Sequence, residues 1–243
     1  MNLGKNLIVL EQVDSTQDVA LKMAKEGAPE WSTIMSGSQT CGRGRMGRNW
    51  VSPSGKNLAL SLILRPDCEP KFAPLYGLMA AVATVQTIEQ FCPHSVVRVK
   101  WPNDIISGDR KIAGILPQAQ INSNRIDFVI IGLGLNVNST EADFPLELRN
   151  AVTSMHSLGS GAFDVSEVAV SFLECMHQLY TQSIEHGFSI LLDLWVRKWA
   201  HRGRMLSRSD VTGVAEGIDE MGALLLRASD GSLVKVSGGE VSA

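Results

Sequence analysis

Residues 42–50 read Gly42-Arg43-Gly44-Arg45-Met46-Gly47-Arg48-Asn49-Trp50. Glycines and arginines interleave up to Arg48, and a tryptophan closes the run. Glycine admits backbone conformations that other residues avoid and leaves room for a ligand to approach. Arginine is a fixed cation whose planar fork suits phosphate and carboxylate oxygens. The stretch therefore predicts a mobile loop that closes over an anion. Arg-Gly runs also occur in disordered RNA-binding tails. Those repeat many times in low-complexity sequence, whereas this run occurs once, between two expected strands. It lacks the Gly-Lys-Ser/Thr ending of a P-loop. Gly42, Gly44 and Gly47 have the spacing of a dinucleotide or kinase glycine loop, but the inserts are arginines and no helix is expected to follow.

Three further stretches could carry chemistry. In Lys100-Trp101-Pro102-Asn103-Asp104, proline ends a strand and would hold Asn103 and Asp104 at a cleft, although taken alone the stretch reads better as a simple turn. In Arg110-Lys111-Ile112-Ala113-Gly114-Ile115-Leu116, a lysine sits in an apolar strand with small neighbours. It reads as an inward-pointing ligand group or as an edge lysine that deters aggregation. Gly132-Leu133-Gly134-Leu135-Asn136-Val137-Asn138 is a glycine-relaxed strand ending in amides, or an ordinary strand with a polar turn.

These stretches need a scaffold, and the composition supplies one. The chain has 243 residues, 44% hydrophobic and 19% charged, enough for one large domain or one large and one small. A net charge of -3 gives no overall attraction to nucleic acid or membrane. Between Trp31 and Pro66, however, Arg43, Arg45, Arg48, Lys56 and Arg65 face no acidic residue, which points to a small anionic ligand. Cys41, Cys68, Cys92 and Cys175 follow no zinc or redox spacing, and the histidines are scattered, so no protein metal site is expected. No signal peptide or membrane-spanning run is visible, and a reducing cytoplasm is the expected location.

Strands are expected at 7–10, 33–38, 58–64, 96–100 and 126–137, with a hairpin from Ile105 to Gln120. Helices are expected after Asp14-Ser15-Thr16, over 74–91, 164–186 and 188–199. After His201, short β runs alternate with glycine turns. The pattern reads as α+β with a mainly antiparallel or mixed sheet in residues 1–199, followed by a small β domain over 200–243.

In this order, the stretches resemble the catalytic core of biotin protein ligases. The matching elements are Asp14-Ser15-Thr16, the Gly-Arg loop, Lys-Trp-Pro-Asn-Asp, Lys-Ile-Ala-Gly-Ile-Leu and Gly-x-Gly-x-Asn, with Gly217-Ile218-Asp219 and Gly238-Gly239-Glu240 near the end. The resemblance implies a class II aminoacyl-tRNA synthetase-like core and a small C-terminal β-barrel. It implies activation of biotin by ATP to biotinyl-5'-adenylate, then transfer to a lysine of a biotin carboxyl carrier domain, as in acetyl-CoA carboxylase. Lys111 is the implied contact to both the biotin carboxylate and the α-phosphate. Arg43 and Arg45 are implied to close over the ligand, with Gly42, Gly44 and Gly47 permitting the motion. Ser15, Thr16, Gln17 and Gln39 are implied at the ureido end. Trp50, Asn103, Gly114 and Asn136 complete the implied nucleotide and biotin contacts, and Asp104 is implied to orient Lys111 or help the acceptor amine lose its proton. Magnesium is implied with ATP, bridged by phosphates.

The chain departs from the family pattern in four ways. It starts directly on the core, so no winged helix for repression is expected. Gln17 stands where asparagine is commoner. Pro117 follows Ile115-Leu116 and is expected to end or bulge that strand. The first hairpin of the C-terminal unit looks trimmed. A lipoate–protein ligase and a non-enzymatic biotin-responsive regulator are the rivals. Homodimers through sheet edges occur in the family, but nothing in the sequence fixes one.

Overall fold

The computed structural model describes residues 6–159, 161–208 and 211–242. The chain runs β1 (Leu7–Leu10), α1 (Thr16–Lys25), β2 (Thr33–Ser36), β3 (Leu58–Leu64), α2 (Ala73–Phe91), β4 (Arg98–Lys100), β5 (Asp104–Ser107), β6 (Arg110–Asn122) and β7 (Arg125–Leu135). It continues through α3 (Met155–Leu158), α4 (Val165–His186), α5 (Ser189–Lys198), β8 (Met205–Arg208), β9 (Val211–Ile218), β10 (Leu224–Arg227) and β11 (Leu233–Val236).

Seven strands form one sheet in the order β1-β2-β3-β7-β6-β5-β4. Only β1 and β2 are parallel, as the α1 crossover between them requires. Strand β3 is buried along its whole length and shows how the sequence divides the two faces. Leu58, Leu60, Leu62 and Leu64 pack with α2 and α4 in the main core. Ile63 turns to the other face, where it joins Ile34, Phe128 and Ile130 beneath Ala20 and Ala24 of α1. Each fully buried leucine contributes on the order of 2 kcal/mol relative to exposure. Helix α2 is apolar on nearly all sides because it lies between the sheet and α4 and α5.

Along that second face the side chains shrink. On β7 the sequence runs Phe128, Ile130, Gly132, Gly134, and on β3 it runs Ile63, Ser61, Ala59, with Gly132 opposite Ser61 and Gly134 opposite Ala59. Large residues seat α1 at one end, and small ones leave a hollow at the other.

Two expectations are corrected. Pro117 neither ends nor bulges β6, which continues to Asn122 with Pro117 opposite Ile131; the irregularity lies at Gln120/Ile121. The last bond on its other edge is Ile115 N–H to Asn103 O, at 2.9 Å. The missing donor of proline therefore falls where the neighbouring strand has already ended. The ring rests on Gly77 of α2, where an added Cβ would lie 3.0 Å from Pro117 Cγ. The C-terminal unit is not a closed barrel but an open antiparallel sheet, β11-β10-β9-β8, whose edge strand β8 is extended by a Ser207–Ser242 bridge. It docks on the larger sheet through Trp101 Nε1, which donates to Gly222 O at 3.2 Å.

Candidate active site

A cleft opens over the hollow. Its polar end is built where β2 runs on beside the start of α1. Thr40 N–H donates to Val13 O, and Thr40 Oγ1 donates to Asp14 at 2.6 Å, which aligns the two segments. Gln39 Oε1 then accepts from Thr16 N at 2.9 Å and Thr16 Oγ1 at 3.2 Å. Ser61 Oγ lies 2.9 Å from Thr16 Oγ1 and 3.2 Å from Gln17 Oε1. Gln17 Nε2 donates to Leu116 O at 3.3 Å. Ser15, Thr16, Gln17 and Ser61 are all buried. A Cβ on Gly132 would lie 2.5 Å from Gln17 Oε1, so that glycine makes room for the glutamine.

The Gly-Arg stretch forms a narrow hairpin. Its tip is the short 3-10 turn Arg45–Gly47, where Met46 takes φ 54°, ψ 35° and Gly47 takes φ 74°. Positive φ at both positions is the geometry of a type I′ hairpin turn. The arms are joined by Trp50 N–H to Gly42 O at 2.8 Å and Gly44 N–H to Arg48 O at 2.7 Å. A Cβ on Gly42 would lie 2.5 Å from Trp50 O. Each arginine is engaged. Arg43 pairs with Asp18 at 2.8 Å. Arg45 Nη1 donates to Asn103 Oδ1 at 2.7 Å and Nη2 to Gly239 O at 3.4 Å. Arg48 pairs with Glu240.

Lys111 stands at the centre. Its Nζ is 2.6 Å from Asp104 Oδ1 and 5.5 Å from the centre of the Trp50 ring. The half-buried indole of Trp50 lies over Gly114 and Gly134, where added Cβ atoms would meet it at 3.2 Å and 2.3 Å. Its buried Nε1 has no acceptor among the described residues. Beyond Lys111 the cleft has an apolar wall of Phe144, Leu148 and Val152.

Of the residues expected at the site, Ser15, Thr16, Gln17, Gln39, Arg43, Gly44, Arg45, Trp50, Asn103, Asp104, Lys111, Gly114 and Asn136 all line this cleft. Gly42 does not; it faces an outer groove with Cys41 and Pro53. Asn136 lines the cleft with its amide occupied, donating to Thr153 O at 2.9 Å and accepting from Asn57 at 3.4 Å. Asn103 likewise is tied down, donating to Ile115 O at 2.8 Å while accepting from Arg45. Sequence reasoning missed Ser61, Asp18 and the apolar wall. A serine among leucines on β3 was the available signal for the first; the others had none.

The arrangement places cations between a polar pocket and an aromatic, apolar one, which suits the joining of two anionic ligands. Residues 9–136 match the biotin/lipoate A/B protein ligase family, and residues 204–243 match the biotin protein ligase C-terminal domain. The chain is 37% identical over 233 residues to the bifunctional ligase/repressor BirA of Bacillus subtilis, covering 94% of this chain and 71% of that protein. The chain belongs to the biotin protein ligase family. Its likeness to the biotin–acetyl-CoA-carboxylase ligase of Paracoccus denitrificans is 31% identity, with 93% of this chain and 96% of the other covered. A structure of the Aquifex aeolicus biotin protein ligase, in complex with biotin and ATP, superimposes with a TM-score of 0.83 at 26% identity over 98% of both chains. The two matched regions divide this biotin ligase family member as its two sheets do, and the Gly-Arg hairpin of the first touches Gly239 and Glu240 of the second.

Proposed function

We propose that this chain activates biotin with ATP and transfers the biotinyl group to a lysine of a biotin carboxyl carrier domain. Family membership and the Aquifex likeness support the reaction; the polar end of the cleft carries the choice of substrate. Thr16, Gln17, Gln39 and Ser61 offer donors and acceptors that suit a ureido ring. A lipoyl dithiolane has no N–H or carbonyl to exchange with them, so it gains no hydrogen bond at this end of the cleft.

In the first step the biotin carboxylate attacks the α-phosphorus. An oxygen–phosphorus bond forms to the carboxylate, the bond to the bridging oxygen breaks, and pyrophosphate leaves. Lys111 lies between the two ends of the cleft and offsets the charge of both reacting groups, with Arg45 beside it. Asp104 holds the Lys111 ammonium in place. The adenine ring rests at the apolar end, against Trp50 and the Phe144–Leu148 wall. Asp104 is the single carboxylate among the described cleft-lining residues and is engaged by Lys111, so magnesium enters on the ATP phosphates as part of the substrate. In the second step the acceptor amine attacks the acyl carbon, AMP leaves, and the amine gives up a proton. We assign residues 1–199 to catalysis and 200–243 to bracing the hairpin.

The test is pyrophosphate release with biotin and ATP, with lipoate in place of biotin as the control. Release that depends on biotin and is strongly slowed in Lys111→Ala is expected; release with lipoate alone overturns the substrate assignment.

A further inference from the structure

The apolar wall of the cleft belongs to the segment between β7 and α3, which has only two short 3-10 turns, Glu141–Asp143 and Leu146–Leu148. Only its far end, where Val152 bridges to Lys111, is paired to a strand among the described residues, so side-chain links shape the stretch before it. Asp143 is the hub of those links. Its Oδ2 accepts from Thr140 N at 2.8 Å and Thr140 Oγ1 at 2.9 Å, and its Oδ1 accepts from Lys56 Nζ at 2.6 Å. The next residue, Phe144, is a buried part of the wall.

Lys56 is itself fixed. Gly55 N–H donates to Gly37 O at 2.8 Å, and Lys56 O accepts from Asn138 N at 2.8 Å. Asn57, buried beside it, accepts from Val137 N at 3.0 Å and Ser139 Oγ at 2.9 Å. The backbone around Lys56 therefore holds the root of the wall segment, and its side chain reaches the middle. Because Lys56 lies just after the Gly-Arg hairpin, both sides of the cleft share one frame.

We infer that Lys56 and Asp143 are positioning residues, a strap that forms the nucleotide wall of the cleft before any ligand arrives. This rests on the placement of the adenine ring given above. The ammonium of Lys56 and the Thr140 hydrogen bonds hold the Asp143 carboxyl down at about 2, so that carboxylate stays charged through the neutral range. The pair is partly exposed, at 44% and 20% for its two side chains. Its effect is therefore that of a modest ion pair, about a 2- to 5-fold change in nucleotide KM.

Lys56→Met removes the charge and keeps the side-chain stem and the Asp143 cap; Asp143→Asn removes the other charge. Both are expected to raise the KM for ATP by that factor, with the KM for biotin and kcat unchanged and the double variant no worse than either single one. Lys56→Arg restores the wild-type value. Hydrogen exchange over residues 139–152 in unliganded Lys56→Met is expected to be faster than in wild type. Unchanged exchange overturns the strap. Faster exchange with an unaltered ATP KM, or with equal rises for ATP and biotin, overturns its role in placing the nucleotide. A wild-type protein without biotin-dependent pyrophosphate release would fail the functional reading, while the exchange comparison still decides the strap.

Discussion

Gly114 and Gly134 are direct partners on β6 and β7, and the indole of Trp50 lies across both. Two adjacent residues without side chains make a flat platform that no other pairing would supply. Gly134→Ala would place a methyl 2.3 Å from Trp50 Cε2 and lift the ring. Trp31, Trp101, Trp195 and Trp199 are buried, so emission open to acrylamide comes mainly from Trp50. The variant is expected to quench more strongly and to bind ATP more weakly, by roughly tenfold for an overpacked contact of 1–2 kcal/mol. Unaltered quenching would show that the ring does not rest there.

The ion pair between Lys111 and Asp104 separates two roles. Lys111→Ala is expected to slow adenylate formation by roughly 10²- to 10³-fold, as for loss of a charge aimed at the transition state. Asp104→Asn leaves the ammonium present but unheld, so the loss is smaller. Single-turnover formation of biotinyl-adenylate measures both, and equal losses would assign Asp104 a direct chemical part.

Arg45 ties the hairpin to Asn103, in the turn before β5, and to Gly239, just after β11. Arg45→Gly is expected to let the adenylate escape, so that lysines of bystander proteins are labelled as well as the carrier. Mass spectrometry of a mixture of carrier and an unrelated protein reads this directly. Retained selectivity would show that the hairpin does not confine the intermediate.

Ser61 touches both Thr16 and Gln17 and is fully buried. Removing its hydroxyl in Ser61→Ala loosens the polar end alone. A rise of roughly 2- to 10-fold in the KM for biotin is expected, the value of one neutral buried hydrogen bond, with ATP unaffected. Isothermal titration with biotin provides the check.

His201 gives the fold an acid limb. It is buried in the link from α5 to β8, with no partner for Nδ1 among the described residues, and burial together with Lys100 and Arg204 pushes its pKa down; Asp109 opposes them weakly. In the unfolded chain the ring takes a proton near its ordinary value, and in the folded chain it does so only at lower pH. Stability is therefore expected to fall as pH drops below about 6.5, and to level off below the native value. Urea midpoints against pH should lose this limb in His201→Gln.

Much of the site was legible because its residues come in contiguous runs. Lys111, Asp104 and the arginines could be named because the order of their motifs resembles a known family, and the period-two pattern of β3 located a buried strand. What stayed hidden was separated in sequence. Nothing near Arg45 announces that its partner is Gly239, 194 residues on. Nothing near Lys56 points to Asp143, 87 residues away. Pro117 was misread because a sequence does not say where a neighbouring strand stops. The small C-terminal β domain was legible, but the barrel implied by the resemblance is an open sheet, because closure depends on whether β8 and β11 meet, which local pattern does not encode. The glycines of residues 42–47 were read for mobility, yet Gly42 and Gly44 are required where the two hairpin arms crowd together.

The contacts of Arg45 and Arg48 with Gly239 and Glu240 set an order on synthesis. A ribosome makes the hairpin early and its braces almost two hundred residues later. Until the chain around residue 240 clears the exit tunnel, the growing polypeptide can hold a polar pocket and a central lysine but not the braced hairpin. Translation thus delays the braced hairpin until the region around residue 240 has been made.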